Sequence, residues 1–143
     1  MIFHRLQLEA FCHATEDVAK VKEAVLNVLP SDMMEKAEFT EQKTEGSFGN
    51  EILILRLEYE KQGDMRKIIE NIRQRIPKDD LSEFDIEEHV SDDSEFWLRF
   101  DKQEAYKGKL SLDGRDTIQL RGKIATFPAS RKKAVEMMLG LWS

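Results

Sequence analysis

Residues 51–60, with the letters EILILRLEYE, form the most apolar segment of the chain and constrain its fold more than any other segment. A strand with four consecutive apolar residues needs cover on both faces or one very dry face. The segments 2–13 and 116–126 instead alternate apolar with polar residues, which is the pattern of a half-buried strand. We therefore expect residues 51–60 to form a central strand beside strands that expose one face.

Helices are predicted between these strands, where apolar residues recur at helical spacing. The first helix would have Thr15 as its N-cap and end at Pro30, and the second would carry a stripe of isoleucines and stop at Pro77. A third helix is expected around 79–89 and the last over 130–141. The remaining predicted elements are strands at 35–45 and 95–100, turns at 46–50 and 113–114, a helical turn within 101–107 and a short strand at 109–112.

The mixed order of these elements indicates the fold class. Strands and helices interleave around a hairpin in the middle of the chain, and no repeat or Pro/Gly/Ser-rich linker divides it. A chain of 143 residues is long enough for one hydrophobic core. We predict a single α+β domain over residues 1–143, with helices on one face of a mostly antiparallel, mixed sheet.

The cellular compartment is suggested by what the sequence lacks. Cys12 is the only cysteine, so an intrachain disulfide is excluded and a reducing compartment is favoured. The first residues run directly into an alternating pattern and do not resemble a secretory signal. No apolar run approaches the roughly 18 residues needed to span a membrane. We expect a soluble, cytoplasmic protein that does not bind membranes.

Side chains able to hold a metal or attack a substrate are few and dispersed. His4 and Cys12 share one face of one strand, but eight residues place them about 26 Å apart. Cys12 and His13 are neighbours that point to opposite faces, and His89 stands among acidic residues. Three acidic pairs fall at predicted helix ends or in loops, where solvated surface explains them better than a metal site. The sequence therefore predicts no enzyme, no metal and no cofactor.

Charge is distributed unevenly along the chain, whose net charge is −6. Residues 1–94 hold 12 basic and 22 acidic side chains, whereas residues 95–143 hold 10 basic and 6 acidic ones. An acidic body with a basic last third is able to present a basic face to nucleic acid. The alternative is charge scattered over two ends for solubility.

Three consecutive cations, Arg131, Lys132 and Lys133, open the last predicted helix. Cations there oppose the helix dipole, each by about 0.3–1 kcal/mol at low salt. A phosphate bound at that end would explain them, because free backbone N–H groups and cations together make an anion site. The alternative is an exposed cluster whose unfavourable terms are screened by salt.

The segment 98–109, with the letters LRFDKQEAYKGK, is rich in Arg, Lys, Gln and Tyr. These side chains can contact phosphates, base edges and base faces of RNA. By composition alone the segment could equally be an amphipathic surface strand and turn.

Four stretches resemble an archaeal family of predicted RNA-binding proteins that have been suggested as exosome-associated subunits. They are residues 13–17 (HATED), 48–50 (FGN), 98–108 (LRFDKQEAYKG) and 127–131 (FPASR). The DKQ-x-AY-x-G pattern is the most specific of them. The resemblance implies an α+β fold similar to that of the large-subunit ribosomal protein that binds 5S rRNA, and it implies RNA binding without transferring any catalytic residue.

The predicted function is therefore non-catalytic RNA binding, as an accessory factor of RNA processing or degradation. The alternative is a protein–protein adaptor or structural domain within an RNA-processing complex, without direct RNA contact. Polar strand edges also suggest a two-fold homodimer. The predicted RNA-contacting residues are Arg99, Lys102, Gln103, Tyr106, Lys107, Arg121, Lys123, Arg131, Lys132 and Lys133.

Overall fold

The fold is an α+β arrangement built on one five-stranded antiparallel sheet, as seen in a computed structural model that describes residues 2–128 and 130–142. The strand order is β2-β3-β1-β5-β4. Within the described residues the strands are β1 (Phe3–His13), β2 (Thr40–Glu45), β3 (Glu51–Tyr59), β4 (Glu95–Asp101) and β5 (Thr117–Ile124). The α-helices are α1 (Val18–Leu26), α2 (Gln62–Arg75), α3 (Lys78–Ser82), α4 (Lys102–Tyr106) and α5 (Arg131–Trp142), with 3-10 turns at Ser31–Met33 and Ile86–His89.

The sheet has one buried face and one open face, and this confirms the predicted fold class. Along β1 the side chains of Leu6, Leu8, Ala10 and Cys12 are buried, while the residues between them are partly or fully exposed. All four strand pairings are antiparallel, so the expected mixed sheet is in fact purely antiparallel. Side chains of the buried face join those of the helices in one hydrophobic cluster. The assignment of the whole chain to one domain stays a prediction.

The central strand is β1, and the prediction that residues 51–60 take this position was wrong. β1 pairs with β3 on one side and with β5 on the other, which leaves β3 one strand from the edge. Only the Leu55 and Leu57 side of β3 faces the core, while Ile52 and Ile54 are partly exposed on the open face. The apolar run therefore has one dry face rather than two covered ones.

A register shift between Phe3 and Arg5 alters the alternation at the start of β1. It turns Phe3 into the core and leaves His4 exposed, although simple alternation would place His4 on the buried side. Opposite this end of β1, Gly122 of β5 packs closely against the side chains of Phe3 and Leu6. A Cβ atom at position 122 would overlap both of them.

Helix α1 begins later and ends earlier than the sequence indicated. Its N-cap is Asp17 rather than Thr15, and the Asp17 carboxylate accepts a hydrogen bond from the Ala19 N–H. Before it, residues 13–16 form a turn in which the Glu16 N–H donates to the His13 carbonyl at 2.9 Å. The helix ends at Leu26, and the buried Val28 and Leu29 follow in a turn before Pro30.

Three further boundaries differ from those predicted. β2 starts at Thr40 rather than at residue 35, and the helix expected over 79–89 is divided into the short α3 and a 3-10 turn. Residues 109–112 contribute an isolated bridge between Leu112 and Phe100 instead of a strand. Val90 forms a similar bridge to Phe96, so the outer edge of β4 is partly covered, whereas every residue of β2 at the opposite edge is exposed.

No helix among the described residues is long and apolar enough to cross a membrane.

Candidate nucleic-acid interface

The open face of the sheet carries basic side chains from four of its five strands. The register places Arg99, Gln119, Glu9 and Arg56 in one row across β4, β5, β1 and β3. Neighbouring rows add further charges of both signs. The basic residues on this face are Arg5, Arg56, Arg99, Arg121 and Lys123, and the acidic ones are Glu9, Glu58, Glu95 and Asp101.

Several of these charges neutralise one another. The Arg56 guanidinium donates to Glu9 Oε2 at 2.7 Å, and Arg121 Nε lies 3.5 Å from Glu95 Oε2. The Lys123 ammonium is hydrogen-bonded to the carbonyl of Asp93. Among the described residues no carboxylate lies within 4 Å of the guanidinium of Arg5 or of Arg99. These two cations are therefore the most available to an external anion.

Aromatic contacts hold Arg99 in place at the β4 edge. Its guanidinium carbon lies 4.9 Å from the centre of the Trp97 ring. The Trp97 ring in turn contacts the His89 ring, with centroids 4.3 Å apart, and His89 contacts Phe84 at 4.1 Å. A guanidinium stacked on an aromatic ring keeps its N–H groups at the rim, free to donate.

A depression of about 420 Å³ lies on the open face where β1 ends and β5 begins. Phe11 contributes its side chain from β1, with 44% of its surface exposed. Arg99 lines the depression from β4, Gln119 from β5, and Arg115 from the turn before β5. A volume of this size lies in the range of small-molecule sites, roughly 300–1,000 Å³. The depression thus combines an exposed aromatic ring with two arginines.

Lys102, a predicted RNA contact, is instead engaged inside the protein. Only 5% of its surface is exposed, and its Nζ donates to the Phe11 carbonyl at 2.8 Å. The same ammonium lies 2.9 Å from Glu16 Oε1 and 2.6 Å from Asp116 Oδ2. Burial alone would raise the pKa of Glu16, but the hydrogen bonds from Lys102 and the His13 N–H outweigh it and lower that pKa. Lys102 is therefore not free to bind a phosphate.

The same place holds three side chains whose ligand atoms lie close enough together to hold a metal ion, a cluster that the sequence did not reveal. Ligand atoms of His13, Glu16 and Asp116 lie within 4.8 Å of one another. The Lys102 ammonium bonds both carboxylates, at 2.9 Å from Glu16 and 2.6 Å from Asp116. The cluster therefore already holds one cation, which offsets one of its two negative charges.

Gln103, Tyr106 and Lys107 project from α4 beside a groove that α4 forms with α1. The floor of this groove is mostly apolar and includes Val21 and Ala24. Tyr106 is 42% exposed, and both Gln103 and Lys107 are exposed. These three predicted contacts share one surface, but it is built by the helices and not by the open face of the sheet.

The three cations at the start of α5 have different environments. Arg131 donates to the carbonyl of Val90 at 3.2 Å and to that of Glu87 at 2.6 Å, so it anchors the segment beside β4. Lys132 and Lys133 are exposed. The α5 start adjoins the open face at the loop that precedes β4, which Arg131 and Lys123 both contact. Ala129, part of the stretch FPASR, lies outside the described residues.

The predicted contact residues therefore fall into three regions. Arg99, Arg121 and Lys123 lie on the open face, the α4 residues lie around the helical groove, and the remaining three lie at the start of α5. Sequence reasoning missed Arg5, Phe11, Trp97 and Arg115 as candidate contacts. The period-two alternation in β1 and β4 was a usable signal for the first three, because it places them opposite the core.

Comparison with known proteins agrees with a nucleic-acid interface. The sequence profile of a family described as RNA binding matches residues 5–124. The RNA-binding protein PAB1135 of Pyrococcus abyssi is 37% identical over 137 residues, covering 93% of this chain and 89% of that protein.

Two solved structures are similar over nearly the whole chain. AF2318 from Archaeglobus fulgidus has a TM-score of 0.85 and 29% identity, covering 99% of each chain. Mth689 from Methanothermobacter thermautotrophicus, a DUF54 protein, has a TM-score of 0.81 and 28% identity, covering 100% of each chain. The chain therefore belongs to this archaeal family of RNA-binding proteins.

Proposed function

We propose that the chain is a non-catalytic RNA-binding protein that binds RNA across the open face of its sheet. The observation that carries the proposal is the uncovered face itself, which displays five cations together with the exposed aromatic ring of Phe11. Cations neutralise phosphates, and exposed aromatic rings stack unpaired bases. A sheet face with both kinds of side chain suits single-stranded RNA.

The ion pairs already present on the open face do not prevent its cations from binding RNA. The ion pairs on the open face are partly solvated, and exposed pairs contribute only about 0–1 kcal/mol. Replacing such an ion pair by a contact between the same cation and an RNA phosphate therefore costs little free energy.

The test is the affinity and salt dependence of binding to a labelled single-stranded oligoribonucleotide, measured by fluorescence anisotropy. The sheet variant carries Arg5→Gln, Arg121→Gln and Lys123→Gln. The matched control carries Arg66→Gln, Lys78→Gln and Lys109→Gln, which are exposed cations on helices α2 and α3 and in the segment after α4. Both variants lose three positive charges, so a difference between them reports position and not net charge.

We expect the sheet variant to lower the slope of log K against log salt by about 2, since each lost phosphate contact on a single strand accounts for about 0.7. The control should leave the slope unchanged. Equal slopes for the two variants would contradict the proposed face. Absence of binding by the wild-type protein to every RNA tried at low salt would contradict RNA binding altogether.

An adaptor role is the second candidate, and the groove between α1 and α4 favours it. Its apolar floor and the half-exposed Tyr106 suit an apolar side chain of a protein partner. A Tyr106→Ala variant that binds RNA normally but loses binding to purified subunits of an RNA-processing complex would support this role. Retained binding to those subunits would count against it.

Finer assignments rest on the family resemblance and on composition. We propose an accessory role in RNA processing or degradation, with the exosome as the first complex to test, a cytoplasmic location, and a fold similar to the 5S-rRNA-binding ribosomal protein. A two-fold homodimer is proposed through β2, whose exposed edge offers unpaired backbone groups. Light scattering that detects only monomer at high micromolar concentration would contradict the dimer.

A further inference from the structure

We propose that the depression on the open face is a nucleotide subsite, in which Phe11 stacks one unpaired base while Arg99 and Arg115 bind the adjoining phosphate. The inference rests on the proposed RNA binding and assigns its first specific position. It concerns the cavity of about 420 Å³ at the junction of β1 and β5.

The base would lie on the ring of Phe11. This side chain belongs to the central strand, points away from the core and is 44% exposed, although a buried position would be more favourable for an apolar ring. Ile54 is its neighbour across the pair with β3, so one side of the ring has apolar support. The other side faces the depression and is free to accept a planar base.

The phosphate would lie between the two arginines. Arg99 is held by its contact with Trp97, which lowers the conformational cost of binding, and Arg115 is exposed in the turn before β5. Neither guanidinium has a carboxylate within 4 Å among the described residues. A planar guanidinium with free N–H groups binds phosphate oxygens in a bidentate manner.

The two carboxylates that line the depression each have a cationic partner. Glu9 is bound by Arg56 at 2.7 Å, and Asp116 is bound at 2.6 Å by Lys102, which it shares with Glu16. With Arg99 and Arg115 included, four cations stand against three carboxylates, so the net charge at the depression is positive. On its far side Arg99 borders a second cavity, lined by Asp80, Glu83 and Glu88, that repels phosphate and directs the RNA toward the sheet.

Polar groups are also available to the base edge. The Gln119 Oε1 atom accepts a hydrogen bond from the Arg121 guanidinium at 3.2 Å, which leaves the amide NH₂ group as a donor. Thr117 and His13 complete the rim. Stacking, phosphate binding and an edge contact are thus supplied within one depression by three strands and a turn.

The experiment uses the full chain and an oligouridylate of about ten nucleotides, a length within the range that single-strand sites cover. Phe11→Leu removes the ring but keeps an apolar side chain, and Phe11→Tyr keeps the ring. Phe48→Leu is the matched control, because Phe48 is 97% exposed at the β2–β3 turn and lies outside the depression. Arg66→Gln serves as the control for Arg99→Gln and Arg115→Gln.

We expect Phe11→Leu to weaken binding about fivefold or more without changing the salt slope, since stacking involves no counterion. Phe11→Tyr and Phe48→Leu should bind as the wild type does. Each variant at Arg99 and Arg115 should lower the slope by about 0.7, whereas Arg66→Gln should not. Thermal melts establish that every variant is folded.

A second readout is independent of affinity. Oligouridylate with 4-thiouridine at a central position should crosslink to the peptide that contains Phe11. Normal affinity of Phe11→Leu together with crosslinks elsewhere would overturn the subsite while leaving the proposed function intact. Failure of the wild-type protein to bind any RNA would overturn both.

Discussion

The ammonium of Lys102 lies 2.6 Å from Asp116 Oδ2, which joins the first residue of α4 to the residue immediately before β5. Glu16, from the turn before α1, accepts a second hydrogen bond from the same ammonium at 2.9 Å. One buried cation thus connects three separate segments of the chain. It also fixes the turn that presents Arg115 to the open face.

Substitution Lys102→Met should destabilise the fold. It keeps the length of the side chain but leaves the Phe11 carbonyl and two carboxylates without their donor, at a cost of about 1–3 kcal/mol of unfolding free energy. Urea unfolding measures the loss. The control is Lys20→Met, because Lys20 is an exposed lysine that lines, with Lys102, the groove between α1 and α4. This substitution should change the unfolding free energy by less than about 0.5 kcal/mol. A similar loss for both variants would contradict the structural role of Lys102.

Stability should depend on the ionisation of Glu16 at acid pH. The pKa of Glu16 is lowered from its ordinary value of 4.5, because the hydrogen bonds to its carboxylate outweigh its partial burial. A group with a lowered pKa in the folded state contributes stability that is fully present above the ordinary value and is lost as the pH falls through the folded value. The difference in melting temperature between wild type and Glu16→Gln should therefore be greatest near neutral pH and diminish below pH 4.5. Parallel melting curves across this range would be inconsistent with the Lys102–Glu16 contact.

Gly122→Ala should disturb the packing of β5 against β1. A Cβ atom at this position would lie 2.6 Å from Leu6 Cδ2 and 2.7 Å from the Phe3 ring, well inside normal contact distances. The overpacking should cost about 1–3 kcal/mol of unfolding free energy, measured by urea titration. Gly140→Ala is the matched control, since a Cβ there meets no atom within 4 Å, and in α5 it should add about 0.5–1 kcal/mol. A neutral Gly122→Ala would mean that β1 and β5 lie farther apart than the structure places them.

The extent to which the sequence predicted this fold depended on how local each signal was. Alternation in residues 2–13 and 116–126 identified β1 and β5 almost to their ends, because a period of two is a property of the strand itself. The position of β3 was mispredicted, because the pairing that makes β1 central depends on residues far apart in the chain. Asp17 was missed as the N-cap, since the His13–Glu16 turn that precedes it is stabilised by Lys102.

In the candidate site, too, the sequence did not predict features that depend on contacts between residues far apart in the chain. Composition grouped Arg99 and Lys102 together as predicted RNA contacts, but Arg99 is exposed whereas Lys102 is buried. The partners of Lys102 lie 86 positions earlier and 14 positions later, so its burial follows only from the fold. Phe11 was not singled out from the sequence, although it is the apolar residue on the polar side of β1, because only the fold places Arg115 and β5 beside it.

The cations at the start of α5 should separate into one structural residue and two binding residues. Arg131 donates to the Val90 and Glu87 carbonyls, and Val90 bridges to Phe96 at the β4 edge. Arg131→Gln should therefore lower the unfolding free energy by about 1–2 kcal/mol. The lysines at 132 and 133 are exposed, and the one side-chain hydrogen bond that either makes within the described residues is a long contact of 3.5 Å from Lys133 to the Phe127 carbonyl, so the double variant Lys132→Gln/Lys133→Gln should unfold nearly as the wild type does.

The same variants should affect RNA binding in the opposite order, with a larger effect of the double lysine variant than of Arg131→Gln. If the lysines neutralise two phosphates, the double variant lowers the salt slope of binding by about 1.4, whereas Arg131→Gln leaves the slope of the folded protein unchanged. Anisotropy titrations at several salt concentrations measure the slope, and urea titrations of the same samples measure stability. An unchanged slope in the double variant would remove the helix start from the interface and leave the cations of the open face as the phosphate-binding surface.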